Sequence, residues 1–251
     1  MVLFYIASAL HNLKKGVKMN SYRNNAIIVG VLFIVATVTN MLGNLSIKPI
    51  LDATDYLIQI SANENLMITA SLLVLISAFA SASIAICLYP ILKKHHQALA
   101  LGSVGFRVME GMLYIIGVVA LLSLLTLSQE YVTAGASNTS LYQISGTLLQ
   151  AVKTWAGQLG VIAFTIGGMM YYYVFYQSKL VPRWLSGWGF LGAALSLASA
   201  LLAIAGLLTP LSAVFILFNL IILVQEMVLA GWLIVKGYNP SVIASKSPQV
   251  E

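Results

Sequence analysis

A chain of 251 residues that is 60% apolar and only 8% charged cannot make a water-soluble surface, which takes about a quarter charged residues. Its net charge of +6 does not point to nucleic acid, because the basic residues lie between apolar runs and read as topology signals beside anionic lipid. A single cysteine, Cys87, excludes an internal disulfide and reads as a small core residue.

The opening MVLFYIASAL is apolar but too short to span a bilayer. Lys14, Lys15 and Lys18 follow it, whereas a secretory signal carries its basic residues in front. Residues 1–18 therefore read as an extension. Either it lies in the membrane interface, or the start is misplaced and Met19 opens the chain with MNSYRNN. Residues 19–241 form one membrane domain, and 242–251 a tail.

Six apolar runs are long enough to cross: Ala26–Ile47, Leu66–Tyr89, Ala98–Leu127, Ser145–Tyr176, Trp184–Leu208 and Leu211–Lys236. All are expected to be helices, because an open sheet in lipid leaves backbone groups unpaired. The fold class is thus all-α, a polytopic membrane protein with six transmembrane helices in one bundle. The third and fourth runs exceed the bilayer, so they tilt or project. Pro49, Pro90, Pro182 and Pro210 fall at span ends. Between spans, Lys93, Lys94, Lys179 and Arg183 lie on one side with Arg23 and Lys236; the other carries Lys48 with Asp52, Asp55, Glu64 and Glu130. This asymmetry predicts both termini in the cytoplasm and a multi-pass protein of the cell membrane. Tyr171, Tyr172, Tyr173, Tyr176, Trp184, Trp232 and Tyr238 cluster near the cytoplasmic ends, and the outer connections of about 18 residues are too short for a domain.

Four charges lie within spans: Arg107, Glu110, Lys153 and Glu226. At 1.5 Å per residue, Arg107, Glu110 and Glu226 sit roughly 14, 18 and 15 Å from the cytoplasmic ends of their helices. Lys153 falls about 39 Å from that side, at the outer boundary where a long amine snorkels. A central charge costs about 2.5–3.5 kcal/mol when it faces lipid, so the three deep charges must face the interior. Arg107, Glu110 and Tyr114 share a helix face, as do Asn219 and Glu226. These five are the candidate binding cluster, with an Arg107–Glu226 pair expected across spans three and six and Glu110 beside it. One guanidinium and two carboxylates sum to −1. A protonated Glu, a bound cation or a deeper Lys153 would neutralise it. A static polar clamp is the competing reading.

Span five carries a stripe of small residues, Gly189, Gly192, Ser196, Ser199, Ala203 and Gly206, and span four adds Gly157, Gly160, Gly167 and Gly168. Both suit close helix packing, with a sliding interface between these spans as the functional alternative. No span contains a histidine, which excludes bis-histidine haem ligation. No catalytic set, metal-ligand motif or cofactor fingerprint is recognisable, and Ser186 lacks a base in any span. His95 and His96 offer too few ligands for a metal and read as a solvated turn. Asn44 and Asn138 match the glycosylation pattern.

SKLVPRWLSGWGFLGA, Ser178–Ala193, resembles the bacterial integral-membrane family catalogued as domain of unknown function 4386. MNSYRNNAIIVGVLFIVAT, LYPILKKHHQALALGSVGFRVMEG and EMVLAGWLIVKGYNPS fit the same pattern. The resemblance covers Met19 to Ser241 and holds Arg107, Glu110 and Glu226; it implies no activity, and it leaves residues 1–18 outside the pattern. Three functions remain open. One is a sensory or accessory protein whose buried cluster binds a proton, a cation, a lipid or a small amphiphile. The second is an ion- or proton-coupled transporter or channel, although neither an internal repeat nor a broken span is visible. The third is a lipid-modifying enzyme, with the two glutamates as acid and base. The bilayer is the one partner the composition requires.

Overall fold

The structure, a computed structural model, describes residues 2–135, 139–209 and 212–245. The described residues form eight helices and no strand: α1 (Val2–Leu51), α2 (Tyr56–Ala62), α3 (Glu64–Leu92), α4 (Gln97–Thr133), α5 (Thr139–Ser178), α6 (Arg183–Ile204), α7 (Ala213–Val235) and α8 (Pro240–Ser245). Six of these are long and apolar enough to cross a membrane: Asn20–Leu51 within α1, and α3, α4, α5, α6 and α7. Ile28, Phe79, Met112 and Leu191, with many other large apolar side chains on these helices, point outward, as a bundle solvated by lipid requires.

Each span packs against its neighbours in the chain, and α7 returns to α1, so the order around the bundle is α1, α3, α4, α5, α6, α7. The turns divide the bundle into two ends. The basic end carries Lys93, Lys94, Lys179, Arg183 and Lys236; the α2 end carries α2 and the α4–α5 and α6–α7 connections. Helix stops fit the local chemistry. Pro90 stands in the last turn of α3 and Pro49 in that of α1, where the missing N–H and the ring's clash with the carbonyl four residues back help to end the helix. His96 caps α4, its side chain accepting from the Leu99 amide at 3.2 Å, and Ser212 caps α7 in the same manner. Ser186, in the first turn of α6, donates to the carbonyls of Pro182 and Arg183.

The structure departs from the sequence reading at several points. α1 is continuous from Val2 into the first span. The connection after it folds as α2, whose Leu57 and Ile60 are buried in a small core with Ile47, Met67 and Leu124. Ser128 of α4 bonds to the Leu57 carbonyl. α4 extends to Thr133 and α5 starts at Thr139, leaving a much shorter connection than expected. Among the aromatics assigned to the interface, Tyr171, Tyr172 and Tyr238 are buried; Tyr238, beyond the last span, donates to Asn25, and burial pushes its phenol above the usual range. Pro210 and Asn138 lie outside the described residues.

The main core fills the basic half of the bundle with Phe33, Ile84, Leu88, Tyr171, Phe175, Leu229 and Leu233. There α1 and α7 touch closely. Gly30 lies so near α7 that a Cβ would come within 2.8 Å of the Ala230 carbonyl oxygen. Arg23 donates to the carbonyls of Leu233 (3.1 Å), Ile234 (2.6 Å) and Val235 (3.2 Å), occupying acceptors that a helix end leaves open. Toward the α2 end α7 is less covered: it buries no residue before Ile222.

Candidate functional site

Arg107 is 2% exposed and Glu110 2%, where α4 meets its neighbours closely at glycines. A Cβ on Gly111 would stand 2.9 Å from the Ala78 carbonyl of α3, and one on Gly167 would stand 3.3 Å from Cγ of Arg107. Close approach brings Ser81 to both charges: its hydroxyl donates to Glu110 Oε1 at 3.1 Å, and its carbonyl accepts from Arg107 Nε at 3.4 Å. The Phe164 ring of α5 covers the guanidinium, 5.0 Å from its centroid, a favourable cation–π placement.

The expected Arg107–Glu226 pair is not formed. Arg107 Nη1 meets Glu110 Oε2 at 3.0 Å, one turn along the same helix, as an ion contact whose angles fall short of a hydrogen bond. The i, i+3 spacing makes this the shorter reach. Glu226, 7% exposed, instead accepts at Oε2 from Thr37 of α1 at 3.4 Å, and its Oε1 has no hydrogen-bond partner. Asn219 does not turn to Glu226 either. Its carbonyl accepts from Ser196 at 2.6 Å, and its amide donates to Ser199 at 3.1 Å and to the Phe215 carbonyl at 2.8 Å. Tyr114 lies over α5 where Gly160 has no side chain, with its hydroxyl beside Glu110.

All five residues nevertheless border one cavity of about 540 Å³. It is a wedge with α1 and α7 on its exposed side and α3, α4 and α5 within. Arg107, Glu110, Glu226 and Ser81 form its floor, and Phe33, Phe164, Leu223 and Ile222 line its depth. Its rim carries Met41 and Leu45 of α1 and Ile216 and Leu220 of α7, each close to half exposed. The exposed side of the cavity thus lies on the first and last spans. Toward the basic end Phe33, Tyr171 and Phe175 close the bundle by edge-on ring contacts.

Lys153 does not snorkel. Its amine donates to Asn44 Oδ1 of α1 at 3.0 Å, across the bundle from α5. Asn44 also donates to the Asn40 carbonyl at 3.0 Å, so this glycosylation match lies within a helix and on the cavity wall. The small-residue stripe of α6 packs as far as Ser199: Gly189 faces Tyr172, and Gly192 would bring a Cβ within 3.2 Å of Ile222 Cα. Gly206 instead ends the helix at φ +71°. On α5, Gly160 and Gly167 face α4, and Gly157 faces open space, so these glycines do not build an α5–α6 sliding surface.

Sequence reasoning did not find Thr37, Asn40 and Asn44, nor Ser77 and Ser81, all of which line the cavity. Their spacing was visible: i, i+3, i+7 on one face of the first span, and i, i+4 on the second. Gln225, buried between Tyr172 (2.6 Å) and the Leu185 carbonyl (3.1 Å), was also missed. Among the described residues no group of three His, Cys, Asp or Glu side chains is arranged to hold a metal ion.

No curated protein and no solved structure matches the chain. The family model described as Domain of unknown function (DUF4386) matches residues 28–237, a stretch that takes in the charged floor and both walls of the wedge. The chain, a membrane-helical bundle of six candidate spans, belongs to this family.

Proposed function

We propose that this protein is a membrane-embedded binding protein that takes a small amphiphile sideways from the bilayer into the wedge between α1 and α7. The observation that carries this reading is a cavity whose rim is apolar and half exposed while its floor holds Arg107, Glu110 and Glu226. Its volume of about 540 Å³ is within the roughly 300–1,000 Å³ of sites for small molecules. Apolar walls suit an alkyl chain, and the floor suits a polar head that would be costly to leave unpaired at that depth. With the basic end cytoplasmic, as the charge asymmetry of the turns favours, both termini lie on the cytoplasmic side of the cell membrane and the mouth opens in the outer leaflet. The aromatic closure at the basic end favours a binding or sensory role over an open conduit.

Native mass spectrometry of the full chain released from mild detergent tests this. An amphiphile-sized adduct on the wild type that is lost in Leu220→Trp, which fills the mouth, is the expected result. Adducts that are equal on both proteins, or absent from both, overturn it.

A further inference from the structure

The geometry points to a ligand with a cationic head, a primary ammonium on an alkyl chain, seated against Glu226. This rests on the wedge being an amphiphile site and names the class it takes. The floor holds three formal charges. Arg107 and Glu110 meet at 3.0 Å and largely cancel, and Glu226 is left with a single neutral donor, Thr37, on Oε2 and none on Oε1. Arg107, Glu110 and Glu226 sum to −1. The next cation, Lys153, is held by Asn44, seven residues along α1 from Thr37 and so about 10 Å away. An ionised carboxylate oxygen without a donor at this depth is unfavourable, and a charge-assisted N–H bond is the strongest single remedy.

Other heads fit less well. A carboxylate or phosphate would bring further negative charge beside Glu110 and Glu226, with Arg107 as the one charged donor on the floor. The guanidinium that would receive it already faces Glu110, its Nε bonds to Ser81, and Phe164 covers its plane. A bare metal ion would leave most of the apolar volume unfilled. An ammonium has three N–H donors, and the Glu226 carboxylate, the Thr37 hydroxyl and the Asn40 side-chain carbonyl belong to residues of α1 and α7 that line the cavity and can accept them. The alkyl chain then runs past Met41 and Leu220 to the lipid.

The test uses the full chain in nanodiscs and three probes of equal length: dodecylamine, dodecanol and dodecanoate. Binding is read from thermal stabilisation and direct titration, for wild type, Glu226→Gln and Leu220→Trp. The expected result is that dodecylamine binds wild type roughly ten- to hundredfold tighter than dodecanol, the scale of one hydrogen bond to a charged group. Glu226→Gln should bring the amine down to the level of the alcohol without lowering the ligand-free melting temperature, and dodecanoate should be weakest. If dodecanol or dodecanoate binds as tightly as the amine, and Leu220→Trp abolishes it while Glu226→Gln does not, the ammonium class is wrong and the wedge reading stands. If no probe distinguishes wild type from Leu220→Trp, both are overturned.

Discussion

Arg107 pairs along its own helix with Glu110, at 3.0 Å, and leaves Glu226 to Thr37 on the facing span. The two glutamates share a depth and a cavity but not a role. Removing one partner of a buried pair strands the other charge, at a cost of about 3–5 kcal/mol. Arg107→Ala and Glu110→Gln are each expected to fall in that range in unfolding experiments in a single detergent. Glu226→Gln should stay within about 1 kcal/mol of wild type, because it loses only one long bond to a neutral hydroxyl. A large loss from Glu226→Gln with a small one from Glu110→Gln would mean that the guanidinium is held across the bundle.

The pair itself is replaceable. Substituting both partners with apolar residues of similar volume is often neutral or stabilising, so Arg107→Met combined with Glu110→Met should recover most of the stability lost by either single change. A double-mutant cycle measures this. Additive losses would show that Arg107 is retained by its contacts with Ser81 and Phe164 more than by Glu110.

Glycines at helix contacts separate into those that hold the bundle and those that do not. At Gly192 an added side chain meets the backbone of Ile222, which cannot rotate away, so Gly192→Val should cost about 1–3 kcal/mol through overpacking. Gly157 has open space around its Cβ position. Gly157→Ala should gain about 0.5–1 kcal/mol from reduced backbone entropy. Melting temperatures of the two variants should shift in opposite directions.

Arg23 closes the last turn of α7 by donating to three successive carbonyls. Bonds to a charged donor are worth about 1.5–3 kcal/mol each in a favourable case, and these share one side chain. Arg23→Ala should destabilise by about 2 kcal/mol in total and speed amide exchange from Leu233 to Tyr238. Unchanged exchange there would show that Gly30 and its apolar neighbours hold the two helices alone.

The six spans were legible because lipid imposes a length and an apolar face that few sequences meet by accident. Burial of the charged cluster was legible for the same reason: depth can be counted at a fixed rise per residue, and a lipid-facing charge is too costly. Partner choice was not. Sequence spacing puts Glu110 within reach of Arg107 and says nothing about where α7 stands, so a cross-bundle pair looked equally good. Lys153 was placed at the outer boundary because its acceptor, Asn44, lies 109 positions away on a helix that is not its neighbour in the bundle. α2 was hidden by its length: seven residues carry too little periodicity to separate a helix from a loop.

The seam between α1 and α7 joins the first span to the last, with Arg23 and its acceptors more than 200 positions apart. Every other interface in the ring joins consecutive spans and can form as the chain emerges. This one must wait for the final helix. During synthesis, Arg107 and Glu110 therefore reach the membrane interior as a compensated couple on α4, well before Glu226 arrives. Pairing on one helix lets the charges enter lipid together, and the bundle can hold them before its last wall exists.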